Sequence, residues 1–146
     1  MENKRYPFGM IVGGMMHGVM RLLKKRALEH ANIELSMEQM GLLIAISCHN
    51  EEVILQDMAA IMGKDKSAVL RTIDSMEAKE LIKRVSDKTD RRKKYLMITK
   101  KGERVIEQYM EMELELVTEL HAGLSEEDLA AFYKVVNHIS AKTKLM

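Results

Sequence analysis

A single cysteine, Cys48, leaves no intramolecular disulfide framework to consider and suits a reducing cytosol. Tryptophan is absent, and four tyrosines with two phenylalanines are thin material for a β-sandwich core, whereas methionine is abundant at 14 and leans toward packed helices. Proline occurs once, at Pro7, and residues 1–8 read as an irregular arm. No apolar run is long enough to cross a bilayer: the stretch from Phe8 to Met20 is too short and contains His17. No small-residue cleavage site follows it, so neither a transmembrane helix nor a signal peptide is read, and a cytoplasmic location is expected.

What is present is ordinary in amount and uneven in placement. An apolar content of 47% and a charged content of 31% in 146 residues suit one soluble, ordered domain, or a domain with helical extensions. The net charge of +1 conceals a segregation. From Lys83 to Lys101 there are nine Lys or Arg against two Asp, and from Glu103 to Asp128 nine acids against Arg104 alone. One segment is built to meet a polyanion and the next to avoid one.

Apolar residues Ile11, Met15, Met16, Val19, Leu22 and Leu23 recur near helical spacing from Gly9 to Ala31. Gly9, Gly13, Gly14 and Gly18 lie on the same segment; each costs about 1 kcal/mol of helix propensity relative to Ala, and small residues at such steps let a second helix approach closely. Ser36-Met37-Glu38-Gln39 fits a capping box opening a second helix to about Cys48, and His49-Asn50-Glu51-Glu52 breaks it. A third helix is expected from Ile54 to Met62, then a Gly63-Lys64-Asp65 turn. A fourth helix, capped by Asp65 or its neighbour and running to about Lys79, should turn Val69, Leu70, Ile73 and Met76 inward. Lys101-Gly102-Glu103 opens a long helix to about Ala122. Leu124-Ser125 with Glu126, Glu127 and Asp128 caps a last one to about Lys144, expected to bury Leu129, Phe132, Val135, Val136 and Ile139.

Between the fourth and fifth helices, Leu81–Val85 and Tyr95–Ile98 read as two short antiparallel strands. Their connection holds Lys88, Arg91, Arg92, Lys93 and Lys94 among the turn formers Asp87, Thr89 and Asp90. Taken alone, such a run is most often a solvated loop. Following two short helices joined by a glycine turn, it reads as the wing of a winged helix-turn-helix, whose cations sit beside phosphates and reach into a minor groove.

This order of elements resembles the MarR family of bacterial transcription regulators. The resemblance covers roughly Ser36–Gly102 and is carried by Asp57-Met58-Ala59-Ala60-Ile61-Met62-Gly63, Lys66-Ser67-Ala68-Val69 with Ile73-Asp74, and Leu81-Ile82-Lys83-Arg84. Its most specific part is Asp90-Arg91-Arg92 with Ile98-Thr99 and Gly102. It implies a mainly α fold: one domain over 1–146, with a winged helix-turn-helix DNA-binding lobe at 36–100 carrying a two-stranded wing, and dimerisation helices at 9–31 and 103–144. In a symmetric dimer the first, fifth and sixth helices of both chains interlock, and the two recognition helices fall in successive major grooves about 34 Å apart on a pseudo-palindrome.

Carried over by position, the resemblance places Lys64, Lys66, Ser67, Ala68 and Arg71 on or near the leading end of the recognition helix, alongside Asp65, and Lys88, Asp90, Arg91, Arg92 and Lys94 on the wing. Arg92 is expected in the minor groove, with Asp90 orienting it through a charge-assisted hydrogen bond. The implied function is that of a double-stranded DNA-binding regulator, a dimeric repressor released by a small phenolic or aromatic acid-like effector. Met10, Met16, His17, Met20 and Met40 are the candidate liners of the effector site, since methionine adapts to varied apolar ligands, although plain core is the commoner use of methionine. Three positions depart from the family pattern. Glu80 stands where Gly usually follows the recognition helix, so a left-handed turn would carry a side chain; Ile54 replaces a Thr N-cap; Leu70 replaces a small hydroxyl residue.

Other chemistry is poorly represented. Some relatives sense peroxide through cysteines near the first helix; Cys48 falls at the end of the second and is expected to be buried and inert. His17, His30, His49, His121 and His138 form no i, i+4 pair, so neither a metal nor another cofactor is expected. Gly63-Lys64 fails the phosphate-loop pattern because Met58 and Asp65 occupy its outer positions. Glu51-Glu52 and Glu126-Glu127 lie at helix ends, where solvation or the helix dipole explains them, and no nucleophile–base–orienter set emerges, so no enzymatic activity is expected. The competing readings are a winged helix that grips an acidic protein, and a redox- or metal-responsive regulator of the same fold.

Overall fold

The computed structural model describes residues 6–49 and 53–146. Most of the expected arm (residues 1–5) and the helix-breaking Asn50-Glu51-Glu52 lie outside the described residues. Along the chain run α1 (Phe8–Ala31), α2 (Met37–Cys48), β1 (Val53–Ile54), a 3-10 turn (Leu55–Asp57), α3 (Met58–Met62), α4 (Lys66–Ala78), β2 (Ile82–Ser86), β3 (Lys94–Ile98), α5 (Lys100–His121) and α6 (Glu126–Leu145). Two compact units divide it, Met1–Met112 and Glu113–Met146.

In the first unit the helix ends are set by local chemistry. The Ser36 hydroxyl accepts the Gln39 amide at 3.1 Å while the Gln39 side chain accepts the Ser36 amide at 3.0 Å, the reciprocal box that starts α2. Asp65 accepts the Ala68 amide and starts α4. Gly63, at φ 62°, makes the left-handed turn that closes α3. The expected third helix is shorter than its sequence suggested. Ile54 offers no side-chain cap, the chain begins with a 3-10 turn, and α3 keeps only Met58–Met62.

Ile54 instead belongs to β1, which pairs antiparallel with β3 through Val53↔Leu96 and Ile54↔Tyr95. The hairpin β2–β3 is the two-stranded wing, in the register Ile82↔Ile98 to Ser86↔Lys94, and β1 adds a third short strand in the order β1-β3-β2. The core of this unit is Leu42, Leu43 and Ile46 of α2, Met58 of α3, Val69, Ile73 and Met76 of α4, and Leu81, Ile82 and Leu96 at the root of the wing. Leu70 stands only half-buried beside them rather than inside.

Gly102 is required by packing. A Cβ there would lie 2.2 Å from the Leu81 carbonyl oxygen and 2.7 Å from Cγ2 of Ile98, so the first turn of α5 can sit on the wing's root only without a side chain. Glu80 holds the left-handed position after α4 at φ 60°, as the family resemblance implied. Thr99 binds the junction together: its hydroxyl donates to the Glu80 carbonyl at 2.6 Å and accepts the Gly102 amide at 3.1 Å.

The terminal helices differ from expectation. α1 buries only Leu23 and Ala27, leaving Phe8, Met10, Ile11, Met15 and Met16 exposed. Apart from the neighbouring residues and backbone of α1 itself, no described atom lies within 4 Å of a Cβ built at Gly9, Gly13, Gly14 or Gly18. In the second unit, Ser125 and Asp128 form a capping box for α6, and Phe132 and Tyr133 meet edge to face at 5.4 Å. None of Leu129, Phe132, Val135, Val136 and Ile139 is buried; Leu129 and Ile139 are half-buried and the other three exposed. The spacing led to an expectation of burial that these residues do not meet. No described helix is long and apolar enough to cross a membrane.

Candidate nucleic-acid interface

Two elements present the cations. α4 begins at Lys66, and its outward residues Lys66, Ser67 and Arg71 are exposed while Val69, Ile73 and Met76 anchor the opposite side in the core. Ala68 is half-buried, one turn before Thr72, whose hydroxyl donates back to the Ala68 carbonyl at 3.1 Å. Lys64 precedes the helix in the turn and forms an ion pair with Glu38 at 3.3 Å.

The second element is the β2–β3 connection, which two aspartates fold. Asp87 accepts the Thr89 amide at 3.2 Å, and Asp90 accepts the Arg92 amide at 3.0 Å. Backbone bonds from Asp87 to the Lys93 carbonyl and from Lys93 to the Asp90 carbonyl close the loop at 3.1 and 3.0 Å. Lys88, Arg91, Arg92 and Lys93 therefore project outward, and none has a side-chain partner among the described residues. Asp90 bonds the Arg92 backbone amide and not its guanidinium, so the expected charge-assisted hydrogen bond between the two side chains is not formed. Lys94 is tied across the hairpin, its ammonium donating to the Ser86 hydroxyl at 2.6 Å.

Some contacts were invisible in sequence. Arg84 does not join the outward cations; it pairs with Asp74 and, at 3.6 Å, with Glu77, and its amide donates to Glu77 at 3.2 Å, fastening the wing to α4. Gln56 donates to the Arg92 carbonyl at 3.5 Å from the 3-10 turn before α3. Glu38 and Gln39 reach α4 from α2, through Thr72 at 3.4 Å and Ser75 at 2.8 Å. The partners lie far apart in sequence, and no local pattern signals them.

The remaining candidates are less collected. Met10, Met16 and His17 are exposed, Met20 is half-buried and Met40 is buried. A groove of about 320 Å³ is walled instead by Ile33, Leu35, Leu81 and Val105, with Lys79 and Lys101 at its edge, and none of those five residues lines it. Cys48 is exposed rather than buried, because it closes α2 on the side away from Leu42, Leu43 and Ile46. Among the described residues no group of three or more His, Cys, Asp or Glu side chains is placed to hold a metal ion.

Comparison with solved structures finds the same fold repeatedly. FabT of Streptococcus pneumoniae, in a complex with DNA, superposes with a TM-score of 0.80 at 18% identity, over 93% of this chain and 94% of that one. Wild-type MarR of E. coli in its apo form gives 0.77 at 20% identity, over 94% and 98%. MepR, a regulator of the Staphylococcus aureus multidrug efflux pump MepA, gives 0.73 at 17% identity, over 94% and 99%. Residues 35–94, from just before α2 to the first residue of β3, match the model of the MarR family.

Proposed function

We propose that this chain is a sequence-specific reader of double-stranded DNA that regulates transcription in the cytoplasm as a homodimer, with α4 in a major groove and the wing tip beside a minor groove. One observation carries the reading: on this face the acids are engaged internally, while six of the bases are not. Asp65 caps α4, Asp74 and Glu77 hold Arg84, and Asp87 and Asp90 fold the wing tip. Lys66, Arg71, Lys88, Arg91, Arg92 and Lys93 are left exposed to meet phosphates. The DNA held by FabT supports the same assignment by analogy of fold.

The homodimer is supported by the apolar faces that α1 and α6 leave exposed. Repression relieved by a small aromatic acid-like effector is the regulatory form that suits a methionine-rich α1, since such side chains repack around varied apolar groups. Any effector must favour a dimer whose lobes are wrongly spaced for DNA. A panel of phenolic acids that neither shifts the melting temperature nor weakens DNA binding removes that part of the proposal.

The decisive experiment is enrichment of random duplex DNA by the purified protein, with Arg92→Ala alongside. A pseudo-palindrome is expected for the parent, with affinity falling about a thousandfold or more between roughly 50 and 200 mM salt. Arg92→Ala should lose tenfold or more in affinity while its oligomeric state is unchanged. Failure of the folded parent to enrich any sequence at low salt overturns the DNA assignment, and an acidic protein surface cannot mimic a palindrome.

A further inference from the structure

Among the lysines and arginines at the leading end of α4, Lys64 is the one with a carboxylate partner. Its Nζ lies 3.3 Å from Oε1 of Glu38, in the first turn of α2, and the two side chains are 44% and 39% exposed. The same carboxylate oxygen accepts the Thr72 hydroxyl of α4 at 3.4 Å. Beside it the Gln39 amide donates to the Ser75 hydroxyl at 2.8 Å, so Glu38 stands on a seam between α2 and α4 that is fixed on both sides. An ammonium this exposed can be reached by a phosphate, and the acid holding it borders the surface assigned to DNA.

We infer that Glu38 is an internal competitor for Lys64 that sets the affinity of this lobe for duplex DNA, an inference resting on the DNA-reading function proposed above. While Lys64 stays on Glu38 it neutralises no phosphate and releases no counterion. If Lys64 moves to a phosphate, Glu38 is left unpaired in the field of a polyanion. Either course weakens association relative to a lobe with no acid at this position. Exposed ion pairs of this kind change an equilibrium constant by up to about fivefold, which bounds the effect. The device restrains affinity for any sequence, because a phosphate contact carries no base identity.

Glu38→Gln tests this on the full-length protein, since glutamine keeps an acceptor for Thr72 and removes only the charge. Binding to a random-sequence duplex is measured across a salt series for the parent, Glu38→Gln, Lys64→Gln and the double variant, with thermal melting of each. Glu38→Gln should bind about two- to fivefold more tightly at low salt, with the slope of log affinity against log salt steeper by about 0.9. In the Lys64→Gln background the same substitution should leave the salt slope unchanged and raise affinity by clearly less than in the parent. Unchanged or weaker binding by Glu38→Gln overturns the inference, and so does an equal gain in the Lys64→Gln background, which would trace the effect to the general field. If Glu38→Gln melts well below the parent, Glu38→Asp, which draws the carboxylate back from Lys64, replaces it: tighter binding supports the competition and unchanged binding overturns it. A folded parent that binds no duplex at low salt removes the DNA-reading function itself, an outcome distinct from a binding parent whose Glu38 variants are silent.

Discussion

The lobe from α2 to β3 and the terminal helices α1 and α6 draw on similar apolar side chains and treat them differently. Within the lobe Leu42, Leu43, Met58, Ile73 and Met76 are fully buried by elements of the same unit. In α6 no residue is buried, and Val135 is 54% exposed. In α1 only Leu23 and Ala27 are covered. The lobe satisfies its own apolar faces, and the terminal helices present theirs outward. Helical spacing of apolar residues fixes which side of a helix seeks cover and is silent about whether the same chain provides it.

The sharpest way to break this comparison is to delete equivalent apolar groups on each side of it. Ile73→Ala opens a cavity in a closed core and should cost about 2–5 kcal/mol, independent of protein concentration in a urea titration. Val135→Ala should leave the lobe's amide protection unchanged and make melting more dependent on protein concentration, the signature of a face covered by a second copy. Equal, concentration-independent losses at both positions would erase the distinction.

Within the lobe, Gly102→Ala tests how closely its parts are fitted. The added methyl meets the Leu81 carbonyl, so the first turn of α5 or the wing root must move, at a cost of about 1–3 kcal/mol by thermal melting. Glu80→Gly should act in the opposite direction. Releasing a side chain from φ 60° is worth about 1–2 kcal/mol, part of which returns as glycine's entropy in the unfolded chain, leaving a gain of about 0.5–1 kcal/mol. No gain would mean that the Glu80 side chain stabilises the turn in compensation.

The smallest effect belongs to α6 and depends on pH. The Ser125 amide, and after it the Ser125 hydroxyl, hold the Asp128 carboxyl below its ordinary value. A carboxylate depressed in the folded state stabilises it above the unfolded pKa, and that contribution is lost as pH falls through the folded one. The first turn of α6 should therefore fray below about pH 4, seen as faster amide exchange at residues 126–128, and Asp128→Asn should abolish that dependence.

The features legible in sequence were those that act over three or four residues. Ser36 with Gln39, Asp65 before α4 and Ser125 with Asp128 declare their helices because cap and capped amide are neighbours. The left-handed turn at Glu80 was legible only through the family resemblance, whereas the basic loop between two β-prone runs marked the wing from the residues themselves. The two-residue strand β1 was not, since two residues carry no periodicity and its partner lies about forty positions on. The pairs of Arg84 with Asp74 and Glu77, and of Lys64 with Glu38, exist only once α2, α4 and the wing are packed. Charge counting put Arg84 in the basic segment and the family resemblance put Lys64 beside the α4 start, and packing gives both of them carboxylate partners. Cys48 followed the general habit of free thiols in expectation and the geometry of a helix end in fact.

Thr99 joins three parts of the lobe at a single residue, its hydroxyl receiving the Gly102 amide from the start of α5 and donating to the Glu80 carbonyl just beyond α4. Its own amide donates to the Leu81 carbonyl at 3.1 Å, where β2 begins. No slack loop intervenes between these groups, so the beginning of α5, the end of α4 and the root of the wing meet at one joint.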